Sequence, residues 1–272
     1  MAAKGRDVTQ IPQVRLSDGH QMPQLGFGTW DLNGEVAQRA VTRALEVGYR
    51  HLDMATLYRN EAWIGRALAA SGIARNELFL TGKVHPDDLA PAAARRALET
   101  TLTDLGVDHL DLYLIHSPGV RRYGNAYITC WDALQEFRDE GLTTSIGVSN
   151  FTADHIAALH GMAPVVNQVE LHPTYSQPEL RAQMADREIA VVSYSPLGQA
   201  SDLTDQVVQQ IAETAGRTPA QVVLRWHLQH GLTPIPKSSH PQRIADNLDV
   251  FDFELSREQM GLIDSLNRPD VD

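Results

Sequence analysis

Four residues in the first half of the chain, Asp53, Tyr58, Lys83 and His116, carry the side chains of a proton-donating site. Three of them close short apolar runs: Asp53 ends residues 49–53, Lys83 ends 78–83 and His116 ends 110–116, while Tyr58 follows Asp53 after a polar turn. A free tyrosine hydroxyl has a pKa near 10 and is a poor acid at neutral pH. A neighbouring ammonium favours the phenolate, so Lys83 is expected to lower that value, and Asp53 would keep the ammonium charged and in place. His116 would hydrogen-bond an incoming carbonyl oxygen or relay a proton. The set suits protonation of a developing alkoxide, one half of a carbonyl reduction; the other half is a hydride, which a cofactor must bring. A strand-end histidine alone is more often a satisfied core residue, and it is the company of the other three that points to catalysis.

To meet, these groups need a scaffold that gathers strand ends. Residues 14–16 and 21–23 read as a hairpin, with Asp18-Gly19 supplying the positive φ of its turn. Short strands are then expected near 25–29, 49–53, 78–83, 110–116, 145–149, 165–170, 190–195 and 233–236, each followed by about three turns of amphipathic helix. In the first helix Val36, Ala40, Val41, Ala44, Leu45 and Val47 lie mostly on one side. Gly48, Gly72, Gly106 and Gly141 suit left-handed helix ends, and Thr218-Pro219 suits a helix start. Alternation of strand and helix predicts an α/β protein, a (β/α)8 TIM barrel, whose polar strand ends form the catalytic face. The N-terminal hairpin, a second helix before the last strand and residues 256–266 would be additions to it. No linker divides the chain, so 1–272 reads as a single domain.

A net charge of -11 argues against nucleic acid or an anionic membrane as main partner. The lone cysteine, Cys130, allows no intrachain disulfide and reads as a packing residue. Residues 1–7 lack the apolar core of a signal peptide and no stretch is apolar long enough to span a bilayer, so a cytoplasmic protein is expected. His51 and His172 match no closed metal set, and no metal is expected. Arg121 and Arg122 read as a solvated pair and Arg50 as an anchor for a helix or loop. Gly26-x-Gly28 lacks the third glycine of a Rossmann fingerprint, and Gly82-Lys83-Val84 is no phosphate loop.

Eight blocks in order resemble the aldo-keto reductase family along nearly the whole chain. Among them are Gly26-Phe27-Gly28-Thr29-Trp30, Tyr58-Arg59-Asn60-Glu61, Ile146-Gly147-Val148-Ser149-Asn150-Phe151, Tyr194-Ser195-Pro196-Leu197-Gly198 and Ile235-Pro236-Lys237-Ser238. Residues 44–51, 224–229 and 247–253 are similar to the bacterial diketogluconate reductase branch. The resemblance implies NADPH-dependent reduction of aldehydes or ketones, keto-sugar acids and dicarbonyls included, with Asp53, Tyr58, Lys83 and His116 as catalytic tetrad. It implies that Ser149, Asn150 and Gln168 hold the nicotinamide amide and that Tyr194 stacks on its ring. Ser195, Leu197 and Gly198 would line the pyrophosphate; Lys237, Ser238 and Arg243 would hold the 2′-phosphate, with Asn247 on the adenine. A cation and a guanidinium beside hydroxyl donors match a dianionic phosphate better than a ribose diol.

Departures from the family pattern are Met54 and Gly82, where threonines are usual, and Ser117, which replaces a common tryptophan beside His116. With Trp30, Tyr58 and His116 as remaining walls, and with short connections after strands four and seven and after the last helix, an open substrate site and weak binding of small carbonyls are expected. A small-molecule substrate and a monomer are the expected partners and state. One rival is a cofactor-binding regulatory subunit that docks a partner, which the complete tetrad weakens. Another is a barrel hydrolase, which would need paired carboxylates or a metal.

Overall fold

The computed structural model describes residues 11–268; the start at 1–7, read above as lacking the apolar core of a signal peptide, and the end of the short C-terminal tail lie outside the described residues. Strands β1 (Gln13–Arg15) and β2 (Gln21–Pro23) pair antiparallel, with Gly19 at φ 94° in the turn. Eight parallel strands follow in chain order around one sheet: β3 (Phe27–Gly28), β4 (His51–Asp53), β5 (Phe79–Val84), β6 (Leu110–Ile115), β7 (Thr143–Ser149), β8 (Val166–Glu170), β9 (Ala190–Tyr194) and β10 (Thr233–Pro234). The ring is sealed by two hydrogen bonds, Gly26 N–H to Pro234 O and Gly28 N–H to Pro236 O, both 3.1 Å. A Cβ on Gly28 would stand 2.7 Å from the Ile235 carbonyl oxygen, so the seam needs glycine there.

Between the strands lie α1 (Gly34–Val47), α2 (Glu61–Ser71), α3 (Pro91–Leu105), α4 (Val120–Tyr123), α5 (Ala126–Asp139), α6 (Ala153–Ala157), α7 (Pro178–Ala185), α8 (Gln206–Ala215), α9 (Pro219–Gln229) and α10 (Pro241–Leu248), and α11 (Arg257–Asp264) comes last. The paired helices before β10 and the terminal helix are the expected additions. Gly48, Gly72 and Gly106 are left-handed ends of α1, α2 and α3, and Thr218 caps α9 through the Gln221 N–H. Arg50 donates to the carbonyls of Leu45 and Tyr49, anchoring the end of α1. Val36 departs from the predicted apolar face: it is exposed, and Ala37 is buried in its stead. The helix phase is thus set by Ala37, Ala40, Val41, Ala44 and Leu45, the buried apolar stripe of α1.

Strand pleating sorts the side chains. On β5, Leu80 and Val84 join the outer layer under the helices, and Phe79 belongs to the cluster inside the barrel. Thr81 and Lys83 therefore stack above Phe79 on the inner face. On β6, Leu112 and Leu114 are inside and Tyr113 and Ile115 outside, so His116 continues the inner row. Leu16 and Met22 of the hairpin, 2% and 0% exposed, close the lower end of that inner cluster. Burying a side chain of this size stabilises the fold by roughly 1.5–3 kcal/mol. Ser145 donates to Asp18 at 2.6 Å and ties the plug to β7. Gly147 makes room for Leu114 in this interior, since a Cβ there would lie 2.8 Å from Leu114 Cδ2. Among the described residues no helix is long and apolar enough to cross a membrane.

Candidate active site

At the upper end of the barrel the apolar stack gives way to polar residues. His51 bonds Thr81 Oγ1 at 3.0 Å in one layer, and above it Lys83, fully buried, meets Asp53, which is 1% exposed. Lys83 Nζ donates to Asp53 Oδ1, to the Met54 carbonyl at 2.9 Å and to Tyr58 Oη at 3.5 Å. Asp53 Oδ2 accepts from Gln168 Nε2 at 2.7 Å. Tyr58 arrives on a single helical turn, Thr56–Tyr58, whose Thr56 hydroxyl donates to the Lys83 carbonyl at 3.2 Å. Buried Asn60 pins the same turn by donating to the carbonyls of Thr29 and Leu32, each at 2.8 Å. The rings of Tyr58 and His116 meet edge to face with centroids 5.8 Å apart.

The electrostatics depart from the sequence expectation at one point. Burial raises the Tyr58 pKa above its ordinary value; Lys83 opposes this and Asp53 adds to it, so the hydroxyl stays protonated at neutral pH. The expected lowering by Lys83 is present but smaller than the cost of burying a phenolate. Burial also works against the charge on Lys83, yet Asp53 and Tyr58 outweigh it and its pKa is raised. Burial, with Lys83 and His85 acting in the same direction, pushes His116 down to about 3, so its imidazole is neutral.

From this inner end a cleft of about 1090 Å³ runs outward to Lys237 and Arg243. Asp53, Tyr58, His116, Asn150, Gln168 and Tyr194 line its inner half. Ser195, Leu197, Ser238 and Asn247 line the remainder, and Trp30, 54% exposed, stands at its edge. Lys83 lies behind Asp53; Ser149 is buried beside Asn150, whose Nδ2 donates to its hydroxyl at 3.2 Å; Gly198 and Ser117 stand off the lining. Asn150 also donates to the His116 carbonyl at 3.0 Å and accepts from the Tyr194 hydroxyl at 2.9 Å. Ser195, Gln199 and Ala200 all have positive φ, a concentration of left-handed non-glycine residues in the turn after β9. The connection from β6 to α5 holds the short helix α4, and Arg122 there pairs with Asp87 at 3.4 Å. His172 bonds Asp202 at 2.9 Å.

Leu57, Glu170, Asp31 and Asp246 line the cleft without having been singled out from sequence. Leu57 was findable, one residue before Tyr58. Asp31 meets Lys237 at 4.0 Å only because β3 and β10 are neighbours across the seam, which no local signal reveals.

The chain belongs to the aldo/keto reductase family, whose description matches residues 24–268. It is 48% identical to an aldo-keto reductase of Mycolicibacterium smegmatis over 94% of this chain and 93% of that one. It is 43% identical to the methylglyoxal reductase DkgA of Yersinia pestis over 96% of this chain and 94% of the relative. An aldo-keto reductase of Bombyx mori, solved in complex with NADP, superposes with a TM-score of 0.89 at 36% identity, covering 96% of this chain and 94% of its own.

Proposed function

We propose that this protein reduces small aldehydes and ketones to alcohols with NADPH, dicarbonyls of the methylglyoxal kind and keto-sugar acids being the first substrates to try. The observation that carries the reading is the buried Lys83, tied to Asp53 and Met54 and directed at the Tyr58 hydroxyl. A relative with a methylglyoxal reductase's name and a neighbour solved with NADP support the substrate class and the cofactor.

The cofactor fits the donor set of the cleft. Asn150 and Gln168 offer amide donors and acceptors at the inner end, and Lys237 and Arg243 offer cations at the outer end. Gln168 gives its Nε2 to Asp53, which leaves its carbonyl oxygen for the amide of a nicotinamide. Tyr194, held by Asn150, offers its ring as a stacking face, and Ser149, Ser195, Leu197 and Gly198 complete the surroundings of ring and pyrophosphate. When bound, NADPH supplies the hydride.

Tyr58, protonated at neutral pH, gives its proton to the substrate oxygen as negative charge develops there. The resulting phenolate faces the Lys83 ammonium, which Asp53 and the Met54 carbonyl hold in position. The fixed cation offsets part of the cost of burying that charge and needs no reorganisation when the charge appears. Nδ1 of His116 is buried without a hydrogen-bond partner among the described residues. A bare acceptor is cheaper to bury than a bare N–H, so the proton sits on Nε2, ready to be donated to the carbonyl oxygen. Trp30 and Leu57 give the outer wall apolar surface, and Ser117 beside His116 leaves the substrate side wide.

The test is NADPH oxidation with methylglyoxal, a diketogluconate and an aromatic aldehyde, repeated with Tyr58→Phe. Turnover should fall by at least a thousandfold in the variant while NADPH affinity stays within about twofold. Near-normal reduction by Tyr58→Phe would sink the assignment, and tight NADPH binding without consumption in the wild type would favour a docking role instead.

A further inference from the structure

The outer end of the cleft is electrostatically balanced. Its cations are Lys237 and Arg243, and the carboxylates of Asp31 and Asp246 line the same end. Asp246 lies three residues beyond Arg243 on α10, one turn along the same helix face. Asp31 approaches Lys237 Nζ at 4.0 Å, and no other carboxylate within ion-pair distance of that lysine is found among the described residues. Two positive and two negative charges give that end no net charge, while the chain as a whole carries -11. A phosphate dianion approaching it gains attraction from the cations and loses part of it to the carboxylates.

We propose that Asp31 is a specificity-determining counter-ion that competes with the cofactor's 2′-phosphate for Lys237, weakening the preference for NADPH over NADH. The inference rests on the NADPH reading given above. The ion pair is solvent-exposed, with the side chains 35% and 64% accessible, so it is weak enough to break when a stronger anion arrives. It nevertheless keeps a negative charge beside the phosphate position, whether or not the pair is closed. The nicotinamide would meet Asn150, Gln168 and Tyr194, and the pyrophosphate and adenine are the same in NADPH and NADH, so the effect of Asp31 on those parts is common to both nucleotides. The difference in cost between the two nucleotides therefore falls on the 2′-phosphate. Asp31 itself sits at φ 57°, a conformation that asparagine tolerates as readily as aspartate, so the charge can be removed without disturbing the turn.

The experiment measures equilibrium binding of NADPH and NADH by protein-fluorescence quenching at low salt. Asp31→Asn should lower the NADPH Kd about three- to tenfold and leave the NADH Kd within about twofold. The gain should shrink at about 0.5 M salt and disappear in a Lys237→Met background. Weaker NADPH binding by Asp31→Asn would mean that the aspartate positions the lysine, and equal changes for both nucleotides would mean it acts elsewhere; either overturns the proposal. A gain that persists without Lys237 overturns the pairing. If the wild type binds neither nucleotide, the function itself fails, whereas a wild type that binds NADPH and does not respond to Asp31→Asn refutes this inference alone.

Discussion

At the inner end of the cleft Lys83 and Asp53 are sealed at 0% and 1% exposure, whereas at the outer end Lys237 and Asp31 meet at 4.0 Å with both side chains in contact with water. The buried pair cannot exist half-made: either charge alone in that layer would cost several kcal/mol, so geometry and protonation are fixed together. The exposed pair is screened and replaceable, and its worth is a fraction of that. The proposed function thus puts chemistry where single residues are decisive, and nucleotide selection where several small charges add. An inner end of this kind tolerates no conservative exchange, while an outer end of that kind can be retuned one residue at a time.

The sharpest way to break this contrast is Lys83→Met. It removes the cation that holds the Tyr58 phenolate and leaves Asp53 buried without its partner, so kcat should fall by about a thousandfold or more and the protein should lose roughly 3–5 kcal/mol of stability. Single-turnover reduction and denaturant melts read the two effects separately, and retention of a tenth of wild-type kcat would erase the distinction between the ends.

Glu61 is the control for a buried carboxyl with no cation in contact among the described residues. It opens α2, is 5% exposed, accepts from the Thr101 hydroxyl at 3.0 Å, and burial pushes its pKa up to about 7 from 4.5. Because the folded value is raised, the proton binds more tightly in the folded state. Its stabilising contribution is complete below the unfolded value of 4.5 and is lost as pH rises through about 7. Glu61→Gln should therefore be more stable than the wild type at pH 8 by something on the order of 2–3 kcal/mol, a margin that vanishes near pH 4. Equal pH profiles of stability for the two proteins would show that burial alone does not set this group.

At the outer end, Arg243→Ala should raise the NADPH Kd by about tenfold while the NADH Kd and kcat stay nearly constant. Equal losses for both nucleotides would place the 2′-phosphate elsewhere.

Most of the barrel is legible in the sequence because its strands are short apolar runs closed by polar residues, and a strand has only two faces. Once 79–83 is a strand with Phe79 inside, Lys83 must be inside too. Asp53 and His116 fall on the inner rows of their strands for the same reason. What stays hidden depends on distance along the chain and on burial. Gln168 and Asp53 are 115 residues apart, and their hydrogen bond exists only in the closed ring. The acidity of Tyr58 is decided by how much water the fold removes from it, a quantity no local pattern carries. Val36 and Ala37 are both apolar, and only packing chooses which of them faces the core.

The seam between Gly26 and Gly28 on one side and Pro234 and Pro236 on the other sets an order of events for a chain made from its N-terminus. Until synthesis has passed Pro236, β3 has no partner on its free side, and the emerging strands can form at most an open sheet with bare edges. The same late segment carries Lys237 and Arg243. The phosphate cradle proposed for the nucleotide is thus among the last parts to be completed, and a chain able to grip a phosphate there has already closed its barrel.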